Sequence, residues 1–357
     1  MNFLKSIAPS HWPTFRFYRY TLPLRRSLKL KNSVLNERRG IVVCCERNGI
    51  AGWGEIAPLE GFSNETLEQV MVCIPDIVSA LNNRESIENT MPSVCCGIEF
   101  AMAQFHASHE GRSLYLMMGG FPERTHVAVA KLITHCSVSE ALSEVTASLK
   151  QGFQCFKIKV GSSSLDQDIE LVRAVQRMIP AKVGLRLDAN RSWSLEQALR
   201  FSNSIEATGI EYIEEPLMPG QSWEDYSQNQ SLPWALDESL AMLQPDSLPA
   251  LKNLVALVIK PTLLGGITPA LKWRNWAGKH ECFCSISSTF ESGVGMIGLL
   301  AMAGAKFHDR SAGLDTYSML ADDIIKPPIE IKNGRMGIYQ SFQKNWQIDF
   351  DKLDQIA

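Results

Sequence analysis

Five short apolar runs between residues 156 and 261 each end in a charged residue. The charged ends lie 23 to 29 residues apart, which is the length of one strand, one crossover helix and their loops. These charged residues are Lys159, Asp188, Glu214, Asp237 and Lys260. A chain that repeats this unit predicts parallel strands whose ends meet at one rim and carry a ring of charges.

The same alternation of strand and helix patterns extends from residue 126 to residue 315. Strands are predicted at 126–134, 153–160, 183–188, 210–214, 233–237, 254–259, 282–288 and 312–315. Helices are predicted near 138–150, 165–179, 194–207, 222–229, 244–250, 267–278 and 293–304. Eight strands with seven intervening helices predict an α/β fold, a modified TIM barrel of type (β/α)7β, over residues 121–317.

Residues 1–120 have a different pattern, which predicts an α+β domain. Strands are expected at 15–22 and 40–46, separated by a loop or hairpin over 22–35, and helices at about 65–81 and 94–109. The Asn48-Gly49 dipeptide predicts a hairpin turn, and Ser63 is the expected N-cap of the first helix. A second Asn-Gly hairpin, at Asn333-Gly334, lies in the tail 318–357, which we assign to this first domain.

Composition excludes several classes of function. The formal net charge of −3 offers no basic surface for nucleic acid, and no apolar run is long enough to span a membrane. The N-terminus lacks the apolar core of a signal peptide, so a cytoplasmic protein is expected. Nine cysteines without a CxxC pair give no support for a zinc or redox site. The sequence leaves open whether the chain is a monomer or a homo-oligomer.

The three acids of the ring would come from neighbouring strands. A single Asp at such a position would more often cap a helix or form a surface ion pair. Asp188, Glu214 and Asp237 together would repel one another unless a cation lay between them. Carboxylate oxygens suit a hard divalent ion, so Mg²⁺ is the expected cofactor, with Mn²⁺ as the alternative.

Lysines lie on both sides of this acidic cluster. Lys157 and Lys159 alternate along one strand and therefore face the same side, and Lys260 ends a strand across the ring. Burial of two ammonium groups is costly, so at least one should be functional. We expect lowered lysine pKa values there, which would let Lys159 and Lys260 act in proton transfer. Lys157 is expected to support the carboxylates instead.

The sequence resembles the enolase superfamily, in its muconate-lactonising branch. The similar stretches are Lys157-Ile158-Lys159, Leu187-Asp188-Ala189-Asn190, Ile213-Glu214-Glu215-Pro216, Leu236-Asp237-Glu238-Ser239 and Ile259-Lys260-Pro261. Further similarity lies in Gly52–Leu59, Gly61–Ser63, Ser287–Ser292 and Gly313–Asp315. The resemblance covers nearly the whole chain from about Phe17 onward and implies that the first domain caps the barrel.

The resemblance implies roles for particular residues. Asp188, Glu214 and Asp237 resemble the Mg²⁺ ligands, Lys159 the base and then acid, and Lys260 the lysine on the opposite face of the substrate. The implied reaction on a small-molecule carboxylate is syn dehydration of a succinyl-hydroxycyclohexadiene carboxylate to the aromatic product, through an enediolate, in menaquinone biosynthesis. Positions expected to bind substrate or support the site are Lys157, Arg186, Asn190, Ser287, Ser288, Gly313 and Leu314. The last four would act as backbone donors or walls.

Specificity is expected to lie in two loops of the first domain, about 20–32 and 58–64, which the resemblance places over the barrel mouth. Arg25 and Arg26 depart from the family pattern there, and we expect them to be solvated rather than bound to substrate. The first dozen residues have no counterpart in the family pattern. Two alternatives stay open: an N-acylamino acid racemase or dipeptide epimerase with the same lysines, and a non-catalytic barrel scaffold.

Overall fold

The computed structural model describes residues 11–29, 34–85, 87, 91–134, 137–307, 310–338 and 346–357. The expectations for residues 1–10, for the end of the first loop at 30–33 and for Cys136 lie outside the described residues. The strands are β1 Thr14–Lys29, β2 Val34–Arg47, β3 Ile50–Ile56, β4 His126–Ala128, β5 Lys131–Ile133, β6 Cys155–Lys159, β7 Gly184–Asp188, β8 Ile210–Glu214, β9 Trp234–Leu236, β10 Leu254–Ile259, β11 Phe283–Ile286, β12 Ile325–Lys326, β13 Ile331–Lys332, β14 Arg335–Gly337, β15 Gln347–Ile348 and β16 Asp354–Gln355.

Helices separate most of the barrel strands and also pack on the first sheet. The α-helices cover Leu67–Asn83, Pro92–His109, Leu114–Met117, Val138–Lys150, Leu165–Met178, Leu195–Ser204, Trp223–Asn229, Pro261–Leu264, Ile267–Lys279 and Gly293–Met302. Short 3₁₀ segments cover Glu238–Met242, Pro245–Ser247, Asp315–Met319 and Phe350–Lys352, and a π-helical segment covers Ala303–Phe307.

A parallel sheet of seven strands, in the order β11-β10-β9-β8-β7-β6-β5, forms most of the barrel in the described part of the chain. Ala312 and Gly313 close the ring. Ala312 forms a parallel bridge to Val129 at one edge, and Gly313 forms one to Ser287 at the other. The eighth strand predicted at 312–315 is therefore reduced to these two residues, because the 3₁₀ turn begins at Asp315. The prediction of a modified TIM barrel with a capping domain is confirmed.

Two predicted barrel elements are wrong in detail. The strand expected at 126–134 is two strands, of which β4 pairs with β14 and only β5 joins the barrel. The helix expected at 244–250 is replaced by 3₁₀ turns. Pro249 explains the second error, since a proline disfavours helical backbone in the residue before it, and Leu248 is extended.

The capping sheet has the order β16-β1-β2-β3. Asn48 and Gly49 both have positive φ, 52° and 76°, so the predicted turn between β2 and β3 is confirmed. Of the two alternatives expected for 22–35, a loop or a hairpin, the structure has the hairpin, because Leu28 and Lys29 lie opposite Leu35 and Val34 in an antiparallel pair. The register shifts just after Pro23, a residue that has no amide to donate.

The first helix begins later than predicted. Thr66, not Ser63, is its N-cap, and it forms a capping box with Gln69. The Ser63 hydroxyl is engaged elsewhere, because it accepts the backbone amide of Leu59 at 2.9 Å. Ser63 therefore closes the preceding turn instead of starting the helix.

Two carboxylates of the capping domain join it to the barrel. Glu55 accepts the amides of Ser292 and Gly295 at 3.0 and 2.8 Å, at the start of helix Gly293–Met302. Glu99 accepts the amide of Thr268 at 3.1 Å, at the start of helix Ile267–Lys279. Each carboxylate satisfies helix N-terminal amides that have no partner within the helix.

The C-terminal tail contacts both parts of the molecule. β16 pairs with β1 of the capping sheet, whereas the hairpin of β13 and β14 pairs with β4 beside the barrel. The domain boundary at residues 120 and 121 stays a prediction. None of the described helices has the length and apolarity needed to cross a membrane. The eight cysteines within the described ranges are free thiols.

We predict that Gly54→Ala lowers the free energy of unfolding by about 3 kcal/mol. A Cβ at this position of β3 would lie 1.9 Å from the carbonyl oxygen of Gly97, so the sheet and helix Pro92–His109 would have to separate. Gly278→Ala is the matched control, because nothing lies within 4 Å of its added Cβ. Helix propensity predicts that this control gains about 0.5 kcal/mol. Equal urea midpoints for the two variants would contradict the packing argument.

Candidate active site

The strands that carry the charged residues end level with one another. Lys159 of β6 lies opposite Asp188 of β7, and Asp188 lies opposite Glu214 of β8. Glu214 in turn pairs with Ala235 of β9, two residues before Asp237. Because parallel strands share their direction, these side chains meet at the C-terminal mouth of the barrel. The register thus brings the predicted acids together.

Two ammonium groups contact the acidic cluster. The Lys157 Nζ lies 2.8 Å from Asp188 Oδ2 and donates to Glu214 Oε1 at 2.7 Å. Lys260 Nζ donates to Asp237 Oδ2. The three acids are buried, with at most 4% of each residue exposed. In this dry environment charge interactions are much stronger than in water.

Burial and crowding divide the acids. Burial, followed by repulsion from Asp188, raises the pKa of Glu214 well above its ordinary value. Burial also raises the pKa of Asp237. For Asp188 burial acts in the same direction, but the positive charges of Lys157 and Lys159 outweigh it and lower its pKa. The nearby lysines therefore lower the pKa of one carboxyl group and leave the pKa values of the other two raised.

The expectation that the lysine pKa values are lowered is wrong for Lys260 and Lys157. Burial does favour the neutral amine of Lys260, but contact with Asp237 outweighs burial and raises its pKa. The pKa of Lys157 is raised in the same way, by Asp188 and Glu214 against the effect of burial. That expectation rested on repulsion among the lysines and from a metal ion; the contact of Lys157 with the carboxylates was expected, and the contact of Lys260 with Asp237 was not.

The donor set of this cluster fits a hard divalent cation. It offers three buried carboxylates, and burial and then repulsion from Asp188 raise the pKa of Glu214. Among the described residues no three acidic, His or Cys side chains are already arranged in ligating geometry. The ammonium groups contact the carboxylate oxygens instead. The residues fit such an ion by their chemistry, and its coordination geometry is not part of this structure.

A second layer of polar residues holds the loops that follow the acids. Glu215 Oε1 accepts the amides of Asp237 and Ser239, both at 2.8 Å. The Asn190 amide group donates to Glu238 Oε1 at 2.9 Å. Burial and then the charge of Glu238 raise the pKa of Glu215 to about 7. The sequence analysis gave no role to Glu215 or Glu238, although each directly follows a residue of the acidic cluster.

Strained backbone is concentrated in the same loops. Asn190, Arg191, Glu215 and Phe290 have φ values of 43°, 57°, 43° and 64°. All four follow the C-terminal ends of barrel strands. Residues other than glycine avoid this region, and such strain is typical of active-site loops.

Arg186 lies deeper than a substrate contact would. It is two residues before Asp188 on β7 and faces the barrel interior one layer below the mouth. Its Nε donates to Glu211 at 2.6 Å, its Nη1 to Ser285 at 3.1 Å, and it stacks over Tyr212. Arg186 therefore supports the barrel beneath the site.

The residues that follow β11 and those of the two-residue eighth barrel strand form the seam that closes the barrel. The amides of Ser287, Ser288 and Gly313 donate to Ile259, Gly313 and Ile286 respectively. The suggestion that these amides are donors to a substrate is therefore wrong, since the Ser287 amide pairs with β10 and the other two amides close the barrel. Their role as a wall stays a prediction. Leu314 is fully buried in the core.

Both loops of the capping domain contact the barrel. The Phe62 ring lies 5.7 Å from Lys260 Nζ, so loop 58–64 covers the mouth. Arg25 Nε donates to the Ser318 carbonyl at 3.1 Å, and Arg26 Nη2 donates to Thr134 Oγ1 at 3.0 Å. Both arginine side chains are exposed, as expected of solvated residues, and each also donates one hydrogen bond, to the tail from Arg25 and to a barrel loop from Arg26.

Residues 140–341 match the family described as "Enolase C-terminal domain-like", which is more than half of the chain. The chain belongs to the enolase superfamily. Residues 13–105 match the family described as "MenC, N-terminal domain". The o-succinylbenzoate synthase of Haemophilus influenzae is 30% identical over 88% of this chain and 92% of its own length. That of Yersinia pseudotuberculosis is 29% identical over 88% and 93%.

Solved structures of the superfamily share the fold. The L-Ala-D/L-Glu epimerase from Bacillus subtilis matches with a TM-score of 0.79 and 23% identity, over 92% of this chain and 96% of its own. A dipeptide epimerase from Cytophaga hutchinsonii matches with a TM-score of 0.82 and 20% identity, over 96% and 99%. At these identities the structural similarity establishes the fold alone, not the substrate.

We predict that Lys157→Met, measured in a metal chelator at pH 7, lowers the free energy of unfolding by about 3–5 kcal/mol. The variant leaves Asp188 and Glu214 buried side by side without the ammonium that contacts both. Arg16→Met is the control, because its ion pair with Glu46 also spans 2.8 Å but is exposed. The control should cost no more than about 1 kcal/mol. Equal losses in the two variants would contradict the importance of this buried contact.

Proposed function

We propose that the chain is an o-succinylbenzoate synthase, a hydro-lyase of menaquinone biosynthesis in the cytoplasm. The reaction is the syn dehydration of 2-succinyl-6-hydroxy-2,4-cyclohexadiene-1-carboxylate to 2-succinylbenzoate. The observation that carries this proposal is the 30% identity to the Haemophilus influenzae enzyme, which covers 88% of this chain. Residues 13–105 also match the family described as "MenC, N-terminal domain", and this part of the chain covers the barrel mouth.

In the proposed site, Asp188, Glu214 and Asp237 would hold Mg²⁺, or Mn²⁺ in its place. When bound, the ion would neutralise charge that develops on the substrate carboxylate. Lys157 supports this set by its contacts with Asp188 and Glu214. Asn190, Glu215 and Glu238 keep the surrounding loops in place.

Lys159 is the proposed base and acid. Its amine removes the proton next to the substrate carboxylate, and the resulting ammonium then protonates the departing hydroxyl on the same face. Lys260 follows β10, four strands from β6 in the sheet, so it lies across the mouth from Lys159. Its positive charge stabilises the enediolate from the opposite face. Formation of the aromatic ring drives the second step.

The proposal is tested by incubating the purified protein with the cyclohexadiene substrate and Mg²⁺, and following 2-succinylbenzoate by its absorbance. Lys159→Ala should lower kcat by at least about 10³-fold, because the same group supplies both proton transfers. Lys182→Ala, at an exposed lysine, is the matched control and should retain activity. Full activity of Lys159→Ala would mean that the base is misassigned. Racemisation of N-succinyl amino acids without dehydration would support the racemase alternative instead.

The metal assignment has its own test, which does not depend on turnover. Asp237→Asn should weaken Mn²⁺ binding, measured by electron paramagnetic resonance, by at least about tenfold. The variant removes one anionic oxygen donor from the buried cluster. Asp246→Asn, at an exposed aspartate, is the control and should bind Mn²⁺ as the wild type does. Unchanged binding in Asp237→Asn would remove Asp237 from the ligand set.

A further inference from the structure

Arg38 is a buried arginine of strand β2 with only 4% of its surface exposed. A guanidinium group has five N–H bonds to donate. In the described part of the chain Arg38 has five acceptors, and all of them are backbone carbonyl oxygens. They belong to Phe290 at 3.1 Å, Pro58 at 2.7 Å, Arg39 at 3.2 Å, Thr289 at 3.3 Å and Ala57.

Four of these five acceptors belong to two different parts of the site, and the fifth, Arg39, lies on β2 beside Arg38. Ala57 and Pro58 begin the capping loop, and Thr289 and Phe290 follow strand β11 at the barrel mouth. Phe290 is one of the residues with strained backbone, at φ 64°. Arg38 therefore joins the capping loop to a strained barrel loop through carbonyl groups, which no other type of side chain could bind in this number.

The capping loop continues from Pro58 into a closed turn. The carbonyl of Leu59 accepts the amides of Phe62 and Ser63 at 3.0 and 2.8 Å. The Ser63 hydroxyl accepts the amide of Leu59 at 2.9 Å. Three hydrogen bonds therefore close the turn 59–63, and the Phe62 ring of this turn lies 5.7 Å from Lys260 Nζ.

We propose that Arg38 is a positioning residue that holds turn 59–63, and with it Phe62, over the barrel mouth. The inference rests on the proposed function only in the choice of substrate for the kinetic test. Arg38 itself contacts neither the acidic cluster nor the lysines, so it acts through the loop that it holds. Its loss should release the turn from the mouth and weaken substrate binding more than the chemical step.

Arg38→Lys is the informative variant, because it keeps the positive charge but offers three donors in place of five. We expect it to raise KM about tenfold while kcat changes by about twofold or less. Arg39→Lys is the matched control, since the neighbouring side chain is exposed and lies 3.7 and 3.4 Å from Glu37 and Glu68. It should leave both constants unchanged.

A double-mutant cycle with Phe62→Ala separates positioning from general support of the fold. If Arg38 acts through the turn, Arg38→Lys with Phe62→Ala should be within about twofold of Phe62→Ala alone in kcat/KM. Losses that multiply would overturn the proposal, since the two residues would then act independently. Arg38→Gln replaces Arg38→Lys in the cycle if the lysine variant does not fold.

Hydrogen exchange tests the same inference without any substrate. In Arg38→Lys, amides of residues 59–63 should exchange at least about tenfold faster, while those of helix Pro92–His109 stay as protected as in the wild type. Faster exchange throughout the capping domain would contradict the proposal, and so would an unchanged exchange rate in the turn. If the wild type shows no dehydration, the proposed function fails, and the exchange result still decides the role of Arg38.

Discussion

The burial of three carboxylates at one rim is the constraint on which the site depends. The register of β6, β7 and β8 places Lys159, Asp188 and Glu214 side by side, and Asp237 follows on the next strand. Like charges this close cannot all be ionised in a dry environment without compensation. Lys157 and Lys260 provide part of it by direct contact. The crowding of three buried carboxylate groups at one rim is what makes the cluster suitable for a divalent cation.

The surrounding structure keeps this cluster in place. Glu215 and Asn190 form hydrogen bonds between successive loops, and strained residues mark the same loops. Above them, the capping domain is joined to the barrel by Glu55 and Glu99 at two helix N-termini. These contacts are polar and buried or partly buried, and removing one partner leaves the other without its hydrogen bond. The loops at the barrel mouth and the capping domain are therefore held in place by polar groups that each need their partner.

The barrel and its charged rim could be predicted from the sequence, because apolar strands that each end in a charged residue recur at a regular spacing along the chain. The shortened eighth strand could not, since Ala312 and Gly313 are fixed by pairing with distant Val129 and Ser287. Lysine pKa values were predicted in the wrong direction because ion-pair contacts depend on side-chain geometry. The role of Arg38 could not be predicted from the sequence, because its acceptors are backbone carbonyl groups, which every residue has.

We propose that Asp188, Glu214 and Asp237 together form one cation site. Anomalous diffraction from a crystal soaked in Mn²⁺ would locate the ion. We expect a single strong peak within about 2.0–2.3 Å of an oxygen from each of the three carboxylates. A peak elsewhere, or no peak at these residues at millimolar Mn²⁺, would contradict it.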